Sequence, residues 1–562
     1  MKENAPERTL LCELADAWGV ATEYWGFDGN KVMVSDLTLI RILASLGVDA
    51  SNEPSARRAL EEARMRPWRE TLPACSVVRD DRESRVAVHL PHGAGVTVEV
   101  ELENGGARAL AQGEDFTPPR EVSGVLTGQA SFVVPARMPL GYHMLRARIT
   151  LDDGSTEVHG APFVVVPQRL ASPAERGMTG WGMTAQLYSV RSRRSWGVGD
   201  TADLKEMCSL FGAMGADFIL INPLHAAEPV GHITPSPYLP VTRRFFNPLY
   251  IRPEDVHEVA YMPAAQRALV TWAGEEIKET DVLNEVIDRD SSWEAKLQAL
   301  EVIFAFGRSK ARQRDFERFR ATEGQGLEDF ALWCALRERY GEDFPEELSS
   351  PATPHSALQR LELAERIDFF AWLQWIVDTQ LEDAQREALD SGMALGIFHD
   401  LAVGVHSKGA DVWSNPEAFA SGVTVGAPPD MYNQQGQNWS QPPWNPEYLA
   451  RSAYAPLRDM VRTVLRHAGA LRVDHIIGLF RLWWIPEGMG ADCGAYVRYD
   501  HEAMLGVVLL EAYRAGAVVI GEDLGTVEPW ARDYLASRGV LGTSVLWFEK
   551  QGDGWANQPE AY

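Results

Sequence analysis

The chain has 562 residues, of which 45% are apolar, enough for several structural units around at least one large core. Its 79 acidic and 53 basic residues give a formal net charge of −26, which argues against nucleic acid or an anionic membrane surface as partner and leaves a neutral substrate indifferent. No run approaches the roughly 18 apolar residues of a membrane span, and residues 1–8 are too polar for an export signal. The five cysteines are scattered and form no CxxC pair, so neither a disulfide scaffold nor a structural zinc site is suggested. These features read as a soluble, reduced, cytoplasmic protein without a cofactor. The 18 Trp include several beside Gly, Asn and Pro, where an indole can stack on a sugar face.

Residues 1–65 read as a helical segment: Ser35 and Asp36 are N-cap types, and Leu37, Ile40, Leu43 and Leu46 recur near the helical period before Gly47. From 66 to 170 the pattern becomes short β segments at 85–90, 96–100, 131–134, 144–149 and 163–166 between Gly, Pro and Asp turns, which predicts a small antiparallel sandwich. A linker is expected over 167–180. From 171 to 562 strands alternate with helices, with strands at 182–190, 217–221, 394–398, 470–473, 517–520 and 542–547. A helical insertion at about 253–390 carries stripes such as Trp293, Leu297, Leu300 and Phe304. Such βα units imply a parallel sheet covered by helices, an α/β fold of the (β/α)8 barrel type. Six units are counted. Two more would need on the order of 60 residues, so the expectation is a barrel whose last two units lie outside this chain.

Polar residues gather just after these strands, where a barrel places its active site. Asp400 is expected after the third strand, Asp474 after the fourth and Glu522 after the fifth. Two carboxylates at successive strand ends can converge on one atom, and about 5–5.5 Å of separation suits a retaining glycosidic mechanism. Arg472 lies two residues before Asp474, hence on the same side of a strand, where its cation would hold Asp474 ionised. Each acid taken alone is more often a helix cap or a salt-bridge partner; three in succession with an Arg in register and Trp-rich loops nearby point to chemistry.

These segments resemble the amylomaltases, the 4-α-glucanotransferases of glycoside hydrolase family 77. The resemblance rests on Gln186-Leu-Tyr-Ser-Val-Arg191, Ser195-Trp-Gly-Val-Gly-Asp200, Asn222-Pro-Leu-His225, Ser236-Pro-Tyr238, Asp400-Leu-Ala-Val-Gly404, Gly426-Ala-Pro-Pro-Asp430, Gly436-Gln-Asn-Trp439, Arg472-Val-Asp-His475 and Gly521-Glu-Asp-Leu-Gly525. It implies that Asp474 is the nucleophile and Glu522 the acid/base, a role that a raised pKa would suit. It further implies that Ser236, Tyr238, Asp400, Trp439, Arg472 and His475 contact substrate, with Trp439 on a loop that closes over an α-1,4-glucan. The 1–170 region resembles the extension of the longer bacterial members.

The family also carries a third carboxylate in a His-Asp pair after the seventh strand. Residues 559–562 resemble the segment shortly before that pair, and the expectation is therefore a C-terminally incomplete chain with impaired turnover. Three other readings remain on the sequence alone: a metal-dependent hydrolase using His399, Asp400, Asp474, His475, Glu522 and Asp523; a glucan-binding protein without turnover; and an α-amylase-like hydrolase.

Overall fold

The computed structural model describes residues 6–178, 180–281, 285–524, 527–547 and 549. The N-terminal helices span Arg8–Ala17, Asp36–Ser45 and Glu53–Arg69, and Ser35 caps the second by accepting the Thr38 N–H. A hairpin of Glu23–Trp25 and Lys31–Met33 interrupts the helical reading. Its turn is local chemistry: the Asp28 carboxylate accepts from both the backbone N–H and the side-chain amide of Asn30, and Gly29 adopts φ +77°.

The next unit is a β-sandwich. Ser84–Pro91 pairs with Val125–Val134 in one sheet, and Thr156–Val166, Gly141–Thr150 and Gly95–Glu101 run antiparallel in the other. Alternation aims Val86, Val88, Leu90, Phe132, Leu145 and Ile149 into one core. The sheet is not wholly antiparallel as expected, because Ser76–Arg79 pairs parallel to Phe163–Val166. The stretch read as a linker, 167–180, is held at its start: the buried Arg538 donates to the carbonyls of Pro167 and Gln168, and Leu170 N–H donates back to Arg538 O.

The site rests on a five-stranded parallel sheet: β1 Gly182–Ala185, β2 Phe218–Ile221, β3 Gly396–Leu401, β4 Ala470–Val473 and β5 Val518–Gly521, side by side in chain order. Every neighbouring pair is parallel. Helix α1, Thr201–Ala213, connects β1 to β2, while α2 (Ala364–Asp390), α3 (Ala455–Leu465) and α4 (His501–Ala515) lead into β3, β4 and β5. Among the described residues the sheet is open and no eight-stranded closure is present. The strand expected at 542–547 is reduced to a single parallel bridge between Ile520 and Leu541. There the chain turns inward, since Thr543 donates through its N–H to Asp523 and through its hydroxyl to Gly521 O.

The insertion is helical, as its periodicity predicts, with helices over Ala264–Asp281, Arg289–Phe306, Lys310–Glu323, Gln325–Tyr340 and Pro354–Glu362 before α2. Trp293, Leu300, Trp333, Phe369 and Trp372 join β2 and α1 in one large core. Buried in it, Arg252 bonds Asp200 at 2.7 Å and Asp203 at 3.1 Å, and Lys296 bonds Asp200 at 3.3 Å, so these interior charges are mutually paired. An unanticipated antiparallel sheet takes the order Gln437–Gln441, Val423–Ala427, Arg481–Pro486, Ala495–Arg498. Its residues Trp484 and Val497 share a core with Leu11 and Leu14 of the N-terminal helices and with Val507 of α4. No helix among the described residues is long and apolar enough to cross a membrane.

Candidate active site

The strand ends of β3, β4 and β5 bring together the acids that the sequence singles out. Asp400 is the penultimate residue of β3 rather than a residue beyond it, and it pairs in register with Arg472 of β4. Asp474 follows β4 directly and Glu522 follows β5 directly. Asp474 N–H donates to Leu401 O at 3.0 Å and Glu522 N–H to Val473 O at 2.9 Å, so the ladder hydrogen bonds continue into both residues and fix their height above the sheet.

Arg472 is shared between two carboxylates. Its Nη1 donates to both oxygens of Asp400 at 2.6 and 2.8 Å, and its Nη2 lies 3.0 Å from Asp474 Oδ1. The strand period therefore places Arg472 and Asp474 on one side, as expected. Tyr238 donates its hydroxyl to Asp400 Oδ2 at 2.8 Å. Its backbone is held from both directions: Tyr238 N–H donates to Ser236 Oγ at 3.3 Å, and Gln441 Nε2 donates to Tyr238 O at 2.9 Å.

The electrostatics depart from the simple picture of a cation holding Asp474 ionised. Burial raises the Asp474 carboxyl above its ordinary value; Arg472 pulls it down and the Glu522 carboxylate pushes it up, so the guanidinium limits the rise without reversing it. Burial likewise pushes Asp400 up to about 6 against the opposing pull of Arg472. The two carboxylates prevail over burial in keeping Arg472 firmly protonated, and burial with Asp400 beside it raises the Tyr238 phenol, which stays a donor.

His475 joins the two strand ends. It adopts the left-handed conformation, φ 48° and ψ 58°, and this turn aims its N–H at Glu522 Oε2, 3.1 Å away. Leu524 N–H donates to the other oxygen, Glu522 Oε1, at 2.8 Å, leaving the carboxylate gripped by backbone on both sides. Burial lowers the His475 pKa and favours the neutral ring, which meets Trp439 edge to face at 5.4 Å between centroids. Trp439 is half-buried within the antiparallel sheet, on Gln437–Gln441. All eight expected residues thus gather around β3, β4 and β5: Ser236, Tyr238, Asp400, Trp439, Arg472, Asp474, His475 and Glu522.

Two supporting residues were not recognised from sequence. Buried Arg243 donates to the carbonyls of Ala402 (3.0 Å) and Val403, and stacks on Trp444 at 4.4 Å. His225 Nε2 accepts the Ala402 N–H at 3.2 Å, and burial pushes this imidazole down to about 3, so it is a neutral acceptor. Together they clamp the peptide that follows Asp400 and Leu401. The Asn222-Pro-Leu-His225 segment carries a signal for one of them, whereas nothing marks Arg243. Asn222 itself is structural: its Oδ1 accepts Leu187 N–H at 2.7 Å and its Nδ2 donates to Tyr250 OH at 3.1 Å. Among the described residues, no three His, Cys, Asp or Glu side chains are placed to hold a metal ion.

Comparisons with known proteins cover both the sandwich and the parallel-sheet region. A glycoside hydrolase family 77 model described as 4-alpha-glucanotransferase matches residues 185–562, and one described as the MalQ N-terminal beta sandwich domain matches 71–167. The 4-alpha-glucanotransferase of Mycobacterium bovis is 49% identical over 98% of this chain and 77% of its own length. That of Haemophilus influenzae is 34% identical over 74% of this chain and 61% of its own. Among solved structures, the amylomaltase from Corynebacterium glutamicum superposes with a TM-score of 0.90 at 44% identity, covering 97% of this chain and 76% of that one.

Proposed function

The chain belongs to the 4-alpha-glucanotransferases of glycoside hydrolase family 77, and on that premise we propose that Asp474 and Glu522 perform its transfer reaction as nucleophile and acid/base. The carrying observation is that Arg472 and the His475 N–H seat the two acids at adjacent strand ends, one against a cation and one against backbone donors. In the first half-reaction an Asp474 oxygen attacks the anomeric carbon while the Glu522 carboxylic acid gives its proton to the departing glycosidic oxygen. The bond to the leaving glucan breaks as the glycosyl–Asp474 ester forms. In the second, the Glu522 carboxylate takes the proton of an incoming sugar hydroxyl. That oxygen attacks the same carbon, Asp474 departs, and two inversions give net retention.

The neighbours have definite tasks in this scheme. Arg472 keeps a negative charge on Asp474 affordable in a buried site. Asp400, fixed by Arg472 and Tyr238, presents a carboxylate to sugar hydroxyls beside the scissile bond, with Ser236 holding the Tyr238 turn. Trp439, braced on His475, offers a ring face to the glucan. A covering aromatic strand also excludes water, which favours a sugar acceptor over hydrolysis. The sequential β1 to β5 order supports reading the sheet as part of a (β/α)8 barrel, with the site at its strand C-termini.

The test is Asp474→Asn, assayed by maltotriose disproportionation and by calorimetric binding of maltotriose. Transfer should be lost with binding largely kept. Near-normal turnover would refute the nucleophile assignment, and reducing-sugar release without redistribution of chain lengths in the parent protein would identify a hydrolase.

A further inference from the structure

A cavity of about 500 Å³ lies beside the catalytic turn, between the N-terminal segment and the helix Pro529–Ser537. Thr22 and Glu23 line one wall, Ile477 and Arg481 from beyond Asp474 another, and Glu528 and Trp530 from beyond Glu522 a third. Residues shortly beyond both catalytic positions in the sequence therefore line it.

Trp530 is 50% exposed, yet its ring is braced by Phe480 at 5.7 Å and His501 at 5.6 Å between centroids. An exposed indole held by aromatic neighbours is a preorganised platform, whose ordering cost is met before a ligand arrives. Arg481 bonds Glu528 at 2.9 Å and lies over the Tyr496 ring at 4.1 Å, and its Nε is buried with no hydrogen-bond partner among the described residues. Three carboxylates, Asp16, Glu23 and Glu528, face two guanidiniums, Arg481 and Arg498, around the same space. That near balance disfavours an anionic ligand. It suits a neutral ring whose hydroxyls both donate and accept and whose C–H face is apolar.

We infer that this cavity is a remote subsite for the same α-1,4-glucan, with a glucose ring stacked on Trp530 and its hydroxyls bonded by Glu23, Glu528 and Arg481. The inference rests on a glucan being the substrate of the catalytic pair. It makes the N-terminal segment a contributor to substrate choice, because Thr22 and Glu23 form a wall that the parallel sheet does not supply. A short donor that fills only the scissile-bond region does not reach it; a longer one does.

The experiment compares kcat/KM for maltoheptaose and maltotriose in the parent chain, Trp530→Ala and Trp530→Phe. The maltoheptaose-to-maltotriose ratio should fall about 2- to 10-fold in Trp530→Ala, the equivalent of one aromatic contact, and most of it should return in Trp530→Phe. An unchanged ratio, or equal losses on both donors, overturns the subsite. Hydrogen exchange on the parent chain guards against a variant that fails to fold: maltoheptaose but not maltotriose should slow exchange around residues 16–24 and 528–534, and an absence of slowing also overturns it. Near-normal maltotriose turnover by Asp474→Asn would count against the catalytic assignment, whereas a constant ratio with that variant inactive would count against the subsite alone.

Discussion

Replacing Arg472 with Met removes a cation that two carboxylates share, and the consequence for the pH profile can be worked out. The side chains of Asp400, Arg472 and Asp474 are 4%, 19% and 24% exposed, so solvent screens the trio only in part. Opposite charges about 4 Å apart at an effective dielectric of about 20 interact by roughly 4 kcal/mol. Solvent at Asp474 reduces this, and a carboxylate that loses such a partner typically rises by about 1 to 3 pKa units. Asp474 already stands above its ordinary value, and loss of Arg472 raises it further. A nucleophile must be ionised, and ionised Asp474 is lost as pH falls through its folded pKa. The acidic limb of kcat/KM for maltotriose should therefore move to higher pH by about 1 to 3 units. Stability runs the opposite way with pH. Carboxyls with folded pKa values above their unfolded ones bind more protons in the native state, so stability falls as pH rises through that window. The variant should lose about 3 to 5 kcal/mol near neutrality and less in acid, as read by urea denaturation at several pH values. Adding Asp400→Asn removes one of the stranded charges and should recover part of the loss. An acidic limb that stays in place in Arg472→Met, with the protein folded, would refute the electrostatic argument.

Other outcomes follow from the same geometry. Glu522→Gln should lower turnover by about 10²- to 10⁴-fold, the usual contribution of a general acid/base, measured by the same disproportionation assay. Arg243→Met leaves the Ala402 and Val403 carbonyls without their donor and should destabilise the fold by roughly 1 to 3 kcal/mol per stranded group, seen as a lower thermal midpoint; kcat should fall with it because the peptide after β3 loosens. Gly469→Ala would place a Cβ 1.7 Å from Leu395 O, at the point where β4 meets β3. Backbone must shift to accept it, and the expected cost is about 1 to 3 kcal/mol or more, checked by denaturation.

The legible parts of the molecule were those governed by local rules. The strand at Ala470–Val473 is legible in full because a short apolar run stands between Gly469 and a charged end. The apolar run starts β3 two residues early, since Ala394 and Leu395 precede the strand while His399 and Asp400 lie inside it. Strand residues that turn toward a catalytic cavity are polar, so periodicity hides the strand where function is strongest. The antiparallel sheet escaped notice for a different reason: Val423–Ala427 pairs with Trp483 and Trp484, some sixty residues away, and no local pattern announces such pairing. The hairpin at 23–33 is set by one Asp-Gly-Asn turn within an otherwise helical segment. The acids and their Arg were visible because β spacing alone puts residues 472 and 474 on one side. The clamp by Arg243 and His225 was not, because it acts through carbonyls and an amide that carry no side-chain signature.

The left-handed turn at His475 also acts as a ruler. The distance between two catalytic carboxyls decides whether a glycosidic enzyme admits a water between them or lets one attack directly. Here one acid precedes His475 in the chain, and the other is gripped by the N–H of His475 itself. One residue of backbone therefore links Asp474 to the grip on Glu522, while the Arg472 side chain seats the Asp474 carboxylate. In the proposed scheme, a changed backbone conformation at residue 475 would move one acid relative to the other, so the main chain here helps set the stereochemical outcome.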